Sequence, residues 1–316
     1  MVSALTAVIE ETRIALSTKE TALNIKDSEK MPAVHAEVFA TAKGTAYLQR
    51  PGVVMVGRPH VDLSGTRDFL TGFDGSLKFS DYLDDPTPIC SAEALIKFAG
   101  QLCYYSFGAN RTFNEKADEY FKNIKSSGHG SVCEHSNFSF LIYGVPRSFT
   151  HELVRHRAGA AFSQVSQRYV DGSTLRFVER PASAADPELH EMFINWIDLA
   201  STQYDKRAAR LLELQQSGFA GLSGEKKRDL RKKINQDARA CLPNEAEAPI
   251  FVTLNVRSLR HVIEMRAASP ADVEIRAVAM TLYSMALSQA PLLFNDYTVV
   301  PQSDGFPAVS TEYRKV

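Results

Sequence analysis

Two stretches of alternating hydrophobicity set what this chain can fold into. In the first, Phe138, Phe140 and Ile142 alternate with Ser139 and Leu141; the second runs from Pro249 to Val256. A period of two sends successive side chains to opposite faces of a strand, so each stretch must lay one face on a core. Val53-Val54-Met55-Val56 reads as a third, short buried strand. Helical patterns stand between them, over 91–107, 114–126 and 258–265. Pro146, whose fixed φ suits a first helical turn, opens a helix ending near Arg157, with Phe149, Leu153 and Val154 toward the core. Asp186-Pro187 opens a long one carrying Leu189, Phe193, Trp196, Ile197, Tyr204 and Leu211 at helical spacing. Ser269-Pro270-Ala271-Asp272 reads as a cap, a first-turn proline and an acid facing the helix dipole, opening a helix to about Ala290. Helices outnumber strands and are interleaved with them, so the expected class is α+β. The expected division is an N-terminal extension over 1–50, loosely packed, with a short helix through Leu5, Val8 and Ile9, and one domain over 51–316.

Charge narrows the function. The net charge is -1, so no global field draws this chain to nucleic acid or to a membrane. Any anion must be bound locally. Cys90, Cys103, Cys133 and Cys241 form no CxxC pair, which speaks against a zinc site and a disulfide framework. The sequence holds no apolar run long enough to span a bilayer, and a cytoplasmic location is expected.

The local charge lies in Arg155-His156-Arg157, followed after eight residues by Ser166-Gln167-Arg168-Tyr169. The spacer reads as a loop rich in small residues and contains no acid to neutralise the arginines. Cations gathered there await an anionic ligand, most often phosphate. Gly159 and the alanines let a flat ligand approach the backbone, while Ser163, Gln164, Ser166 and Gln167 supply neutral donors and acceptors. That mixture suits a heterocycle with a phosphate tail. Glu152 precedes Arg155 by three residues and His156 by four, so the three share a helix face. Gly128-His129-Gly130-Ser131, with Glu134-His135, lacks metal-ligand spacing and reads as a ligand-lining loop. Arg239, Asn255, Arg257, His261 and Arg266 form a later cationic group, a second wall for the same pocket. The basic run around Arg231-Lys232-Lys233 reads as a solvated helix face. There is no Walker A loop, no GxGxxG fingerprint and no nucleophile elbow.

Arg155-His156-Arg157, eight residues, then Ser166-Gln167-Arg168-Tyr169 resembles the signature of the flavin-dependent thymidylate synthases. Gly128-His129 to Glu134-His135, Asn255-Val256-Arg257-Ser258, and Arg266 followed by Ala271-Asp272-Val273-Glu274-Ile275-Arg276 are similar to that family in the same order. The likeness covers about 95 to 295. It implies an α+β fold with a central antiparallel or mixed sheet flanked by helices, in a homotetramer with shared active sites. It implies the conversion of dUMP to dTMP, with 5,10-methylenetetrahydrofolate giving the carbon and FAD, reduced by NADPH, giving the hydride. By position, Ser131, Arg155, His156, Arg157, Gln164, Asn255, Arg257 and His261 are expected at FAD. Glu152, Arg155, Gln164, Ser166, Gln167, Arg168, Arg239 and Arg266 are expected at dUMP, with His129 and Tyr169 lining the pocket. Arg266 and Ser166 are the expected catalytic pair, Ser166 by hydrogen bonding, because no adjacent base is evident. Pro270 stands where the family commonly has histidine, and His261 where an amide can occur. A reductase without methyl transfer would not require Arg168, Ser166 and Arg266 together. A nucleic-acid module would need a basic stripe with stacking aromatics, which the surroundings of Arg155 do not offer.

Overall fold

The fold is that of a computed structural model, which describes residues 30–218, 227–314 and 316. Strands β1 (Ala33–Val34), β2 (Val38–Ala40), β3 (Ala46–Leu48) and β4 (Gly52–Gly57) come first. Helices α1 (Arg67–Thr71), α2 (Ser91–Leu102) and α3 (Ala117–Ser126) follow, then β5 (Asn137–Tyr143), α4 (Arg147–Leu153), β6 (Ala160–Gln164) and β7 (Phe177–Val178). After α5 (Pro181–Ala185), α6 (Pro187–Gln216) and α7 (Lys227–Ala238) comes β8 (Ile250–Asn255), which runs directly into α8 (Val256–Arg266). The chain closes with α9 (Val273–Gln289), α10 (Pro291–Phe294), β9 (Thr298–Val300) and β10 (Ala308–Ser310).

The central sheet has the order β1-β4-β5-β8-β6, antiparallel throughout. Register follows the hydrophobic alternation, since a slip of one residue would turn every buried side chain outward. Phe138 faces Leu254, Phe140 faces Val252 and Ile142 faces Ile250, all fully buried. Ser139 and Thr253, on the other face, join hydroxyls at 2.8 Å. The buried face packs on α8 and α9 through Leu259, Val262, Ile263, Val278, Leu282 and Ala286. A smaller mixed sheet, β2-β3-β7, carries the second core with Phe193, Ile197 and Ala200 of α6.

Several expectations change. Residues 33–48 belong to the two sheets, not to a loose extension, because β1 pairs with β4 and β3 with β7. The helix expected through Leu5, Val8 and Ile9 lies outside the described residues. The helix expected over 91–107 ends at Leu102, and Tyr105 turns the chain with a φ of 47°. The small-residue spacer is not a loop: Ala160–Gln164 pairs with β8, since backbone pairing needs no large side chains. Asp272, not Ser269, caps α9 by accepting from the Glu274 amide at 3.0 Å. On α6, Leu189 and Trp196 face outward and Phe193, Ile197 and Tyr204 face inward.

One buried charge cluster ties the far end of the fold together. Asp296 accepts both guanidinium ends of Arg260, at 2.8 and 2.9 Å, and the Lys125 ammonium at 3.0 Å. Burial pushes the Asp296 carboxyl up, but the Arg260 hydrogen bonds and charge, with Lys125, outweigh it and bring it to about 2. Burial costs Lys125 more than Asp296 returns, so its ammonium is held below the usual range. Because the Asp296 value lies below that of the unfolded chain, the stabilisation is present above about pH 4 and is lost as pH falls toward 2. Asp296→Ala leaves two buried cations unpaired and should cost roughly 3–5 kcal/mol in urea unfolding at pH 7; an unchanged midpoint would show that water replaces the carboxylate.

Candidate active site

The site forms where α4 ends and α8 begins. Asn255 caps α8, its side-chain oxygen accepting from the Ser258 amide at 2.8 Å. The Asn255 amide donates to Gly159 O at 2.9 Å, and the Ser258 hydroxyl donates to Ala158 O. Gly159 has a φ of 63°, and a Cβ there would lie 2.2 Å from Asn255 Nδ2. Only glycine closes the Arg155–Gly159 turn against the helix start.

That closure brings His156 to the far end of α8. Arg266 Nε donates to His156 Nε2 at 2.9 Å, and Arg266 Nη1 pairs with Glu152 Oε2 at 2.6 Å. The His261 ring meets His156 edge-on at 5.4 Å. Burial, then the Arg266, His261 and Arg155 charges, hold the His156 imidazole at about 4. It is neutral at pH 7, and the hydrogen bond from Arg266 assigns its proton to Nδ1. Arg266 keeps guanidinium N–H donors free for a ligand, because five are available and the partners use three. Beside the start of α8, the turn Gly130–His135 places Glu134 against Arg257 at 2.6 Å, with Ser131 and His129 exposed.

The second wall is built by β6, the following turn and α7. Gln164 Nε2 donates to Thr150 Oγ1 at 3.0 Å. Arg168 Nε donates to Gln236 Oε1 at 2.7 Å, and the Ser166 hydroxyl accepts from the Arg168 amide at 3.4 Å. Tyr169 is held between the cations of Arg168, at 5.8 Å, and Lys232, at 5.2 Å. Gln167 is buried, and its Nε2 has no hydrogen-bond partner among the described residues. Arg147 and Arg239 lie close enough that burial first, and then the charge of Arg239, lower the affinity of Arg147 for its proton. Among the described residues neither arginine makes an ion pair. Two arginines close enough to feel each other's charge, with no carboxylate paired to either among the described residues, suit an anion of high charge.

A family model described as thymidylate synthase complementing protein matches residues 88–292. The chain belongs to this family. Among its relatives is a flavin-dependent thymidylate synthase of Mycobacterium avium (strain 104), 39% identical over 231 residues, spanning 72% of this chain and 90% of the relative. Another, of Corynebacterium efficiens, is 39% identical over 223 residues, spanning 70% of this chain and 86% of its own. A crystal structure of a UMP/dUMP methylase PolB from Streptomyces cacaoi, bound with 5-Br dUMP, has the same fold with a TM-score of 0.51 at 19% identity. That likeness covers 78% of this chain and 94% of the other.

In this flavin-dependent thymidylate synthase family member the expected residues fall in two groups. Glu152, His156, His261 and Arg266 join in one network, while Gln164, Ser166, Gln167 and Arg168 stand with α7. Arg155 and Arg157 are exposed and make no ion pair among the described residues. Pro270 lies exposed in the turn before α9. Sequence reasoning missed Arg147, Gln236 and Lys232. Lys232, read as part of a solvated face, shares a face of α7 with Gln236, and their spacing of four residues, with Arg239 three further on in the turn that follows, was the available signal. No helix among the described residues is long and apolar enough to cross a membrane. Since His156 binds protons more weakly here than in an unfolded chain, its stabilisation is lost as pH falls from about 6.5 toward 4. An NMR titration should find the imidazole neutral at pH 5.5; protonation near 6.5 would sink the Arg266–His156 geometry.

Proposed function

We propose that this chain converts dUMP to dTMP by reductive methylation, with 5,10-methylenetetrahydrofolate as carbon donor, FAD as bound cofactor and NADPH as reductant. The observation that carries the reading is the Arg266–His156–Glu152 network, whose Glu152 stands on the same helix, α4, as Arg147, an arginine that like Arg239 makes no ion pair among the described residues. The donor set fits both nucleotides: arginines without carboxylates for the phosphates, and a buried amide, Gln167, without a partner.

The residues assigned to FAD are Ser131, Arg155, His156, Arg157, Gln164, Asn255, Arg257 and His261. When bound, the flavin supplies hydride transfer, chemistry that no side chain offers. Around dUMP stand Glu152, Arg155, Gln164, Ser166, Gln167, Arg168, Arg239 and Arg266, with His129 and Tyr169 at the pocket wall. Arg239 and Arg147 suit a phosphate monoester, which carries nearly two charges at pH 7. Arg266 stabilises the negative charge that develops on the uracil ring as its C5 becomes nucleophilic, and it acts before any water must reorganise. A neutral His156 orients that guanidinium without competing for its charge. Ser166 hydrogen-bonds the base, since among the described residues its hydroxyl has neither histidine nor carboxylate as a partner.

A homotetramer with shared active sites is part of the same reading. Met192, Trp196 and Leu199 stand exposed along α6, and Val56, Leu141 and Phe251 on the outer face of the sheet. Apolar surface gathered in this way fits contacts between copies of the chain.

The test is the absorbance of the purified protein with FAD, from 300 to 550 nm, before and after NADPH and dUMP without oxygen. Bands that bleach support the reading; a protein that takes up no FAD overturns it. In a tritium-release assay, Arg266→Ala should lower dTMP formation by on the order of 10²-fold or more while flavin reduction persists. Equal synthesis by that variant removes Arg266 from the role given to it. Arg168→Ala should raise the dUMP KM about tenfold or more, the loss of one charge-assisted contact. An unchanged KM would place the substrate elsewhere.

A further inference from the structure

Helix α8 carries the site on one side and is gripped by the end of the chain on another. The second face presents Arg260, Glu264 and Ala267, three and four residues apart. The Val309 amide donates to Ala267 O at 2.9 Å, at the C-terminus of the helix. Thr311 Oγ1 donates to Asp296 Oδ2 at 2.5 Å, the carboxylate that also holds Arg260. Arg260 Nη2 reaches Tyr313 O at 3.4 Å, and Arg314 Nε donates to Glu264 Oε1 at 2.7 Å. Val316, only 4% exposed, arrives at the N-terminal end of the helix. A Cβ placed on Gly130 would lie 2.9 Å from Val316 C and 3.0 Å from Arg257 Nε. Gly130 is therefore packed between the end of the chain and that guanidinium, and no larger residue fits.

We propose that this strap, residues 308–314 with Val316, is a positioning element for the flavin, because it fixes the place from which Arg257 reaches its ligand. The proposal rests on the flavin reading above. Arg257 is bounded from two directions, by the Glu134 carboxylate on Nη1 and, beside Nε, by Gly130, which the strap covers from its other side. An arginine free in solution gives up considerable rotamer freedom when it binds; one already held gives up less, and the ligand binds more tightly. The arginines of the phosphate wall, Arg147, Arg168 and Arg239, have no contact with the strap among those described.

The test uses the full chain, a chain ended after Ser310, and the single variants Thr311→Val, Arg314→Ala and Arg314→Lys. FAD affinity is read by fluorescence titration, dUMP affinity by calorimetry at saturating FAD, and folding by the thermal midpoint. The shortened chain, Thr311→Val and Arg314→Ala should bind FAD about tenfold more weakly, with dUMP affinity within about twofold of the full chain. Arg314→Lys should restore FAD binding, because it keeps the charge on Glu264. If the shortened chain does not fold, the single variants decide: weakened FAD binding at an unchanged midpoint supports the proposal. FAD affinity equal to that of the full chain overturns it, and so does a loss that tracks dUMP affinity and the midpoint together. A full chain that binds dUMP but no FAD overturns the flavin reading itself, and is seen before any strap variant is compared.

Discussion

The joint between β8 and α8 is the contact on which the rest of the site depends. Asn255 ends the strand, caps the helix and takes the backbone of Gly159 in the same residue. The strand fixes where the helix starts, and the helix fixes where Arg257, His261 and Arg266 emerge. Gly159 is the complementary half, since a side chain there would overlap Asn255. Without this joint, the turn bearing Arg155, His156 and Arg157 would have no fixed relation to Arg266.

Electrostatics around that joint are deliberately unequal. At the far end of the fold, Lys125 and Arg260 share Asp296 and bury their charge against its carboxylate. At the site, Arg147, Arg155, Arg157 and Arg239 lack ion pairs among the described residues. The first arrangement stabilises a structure; the second leaves cations whose partner must come from outside. His156 lies between the two regimes: it is neutral because burial and neighbouring cations disfavour a further charge, and it can therefore accept from Arg266.

Much of the candidate site was legible in the sequence, for reasons that differ by residue. The motif Arg155–Arg157 to Tyr169 stands out because its charges are adjacent and unopposed by acids. Asn255 was legible because it ends a strand with clear alternation, whereas Arg257, expected on the same strand end, lies in the first turn of α8. Arg147 was not, because on its own helix it looks like any first-turn residue; its meaning comes from Arg239, far along the chain. Lys232 was hidden in a basic run, and only the Tyr169 ring above it separates it from its neighbours. Ala160–Gln164 was read as a loop because its side chains are small, whereas its partner β8 pairs with its backbone.

By itself the sequence determined the class of fold and the local charge from which a phosphate-bearing ligand is proposed. Hydrophobic period, caps and the local density of arginine are written in neighbouring residues, and short-range physics acts on them directly. Tertiary structure alone decided which arginines remain unpaired, that His156 is neutral, and that the last residues of the chain lie along α8. These are properties of side chains brought together from segments more than a hundred residues apart, as with Arg266 and His156. Burial and charge at such a meeting depend on every element packed around it, and no window of sequence contains them.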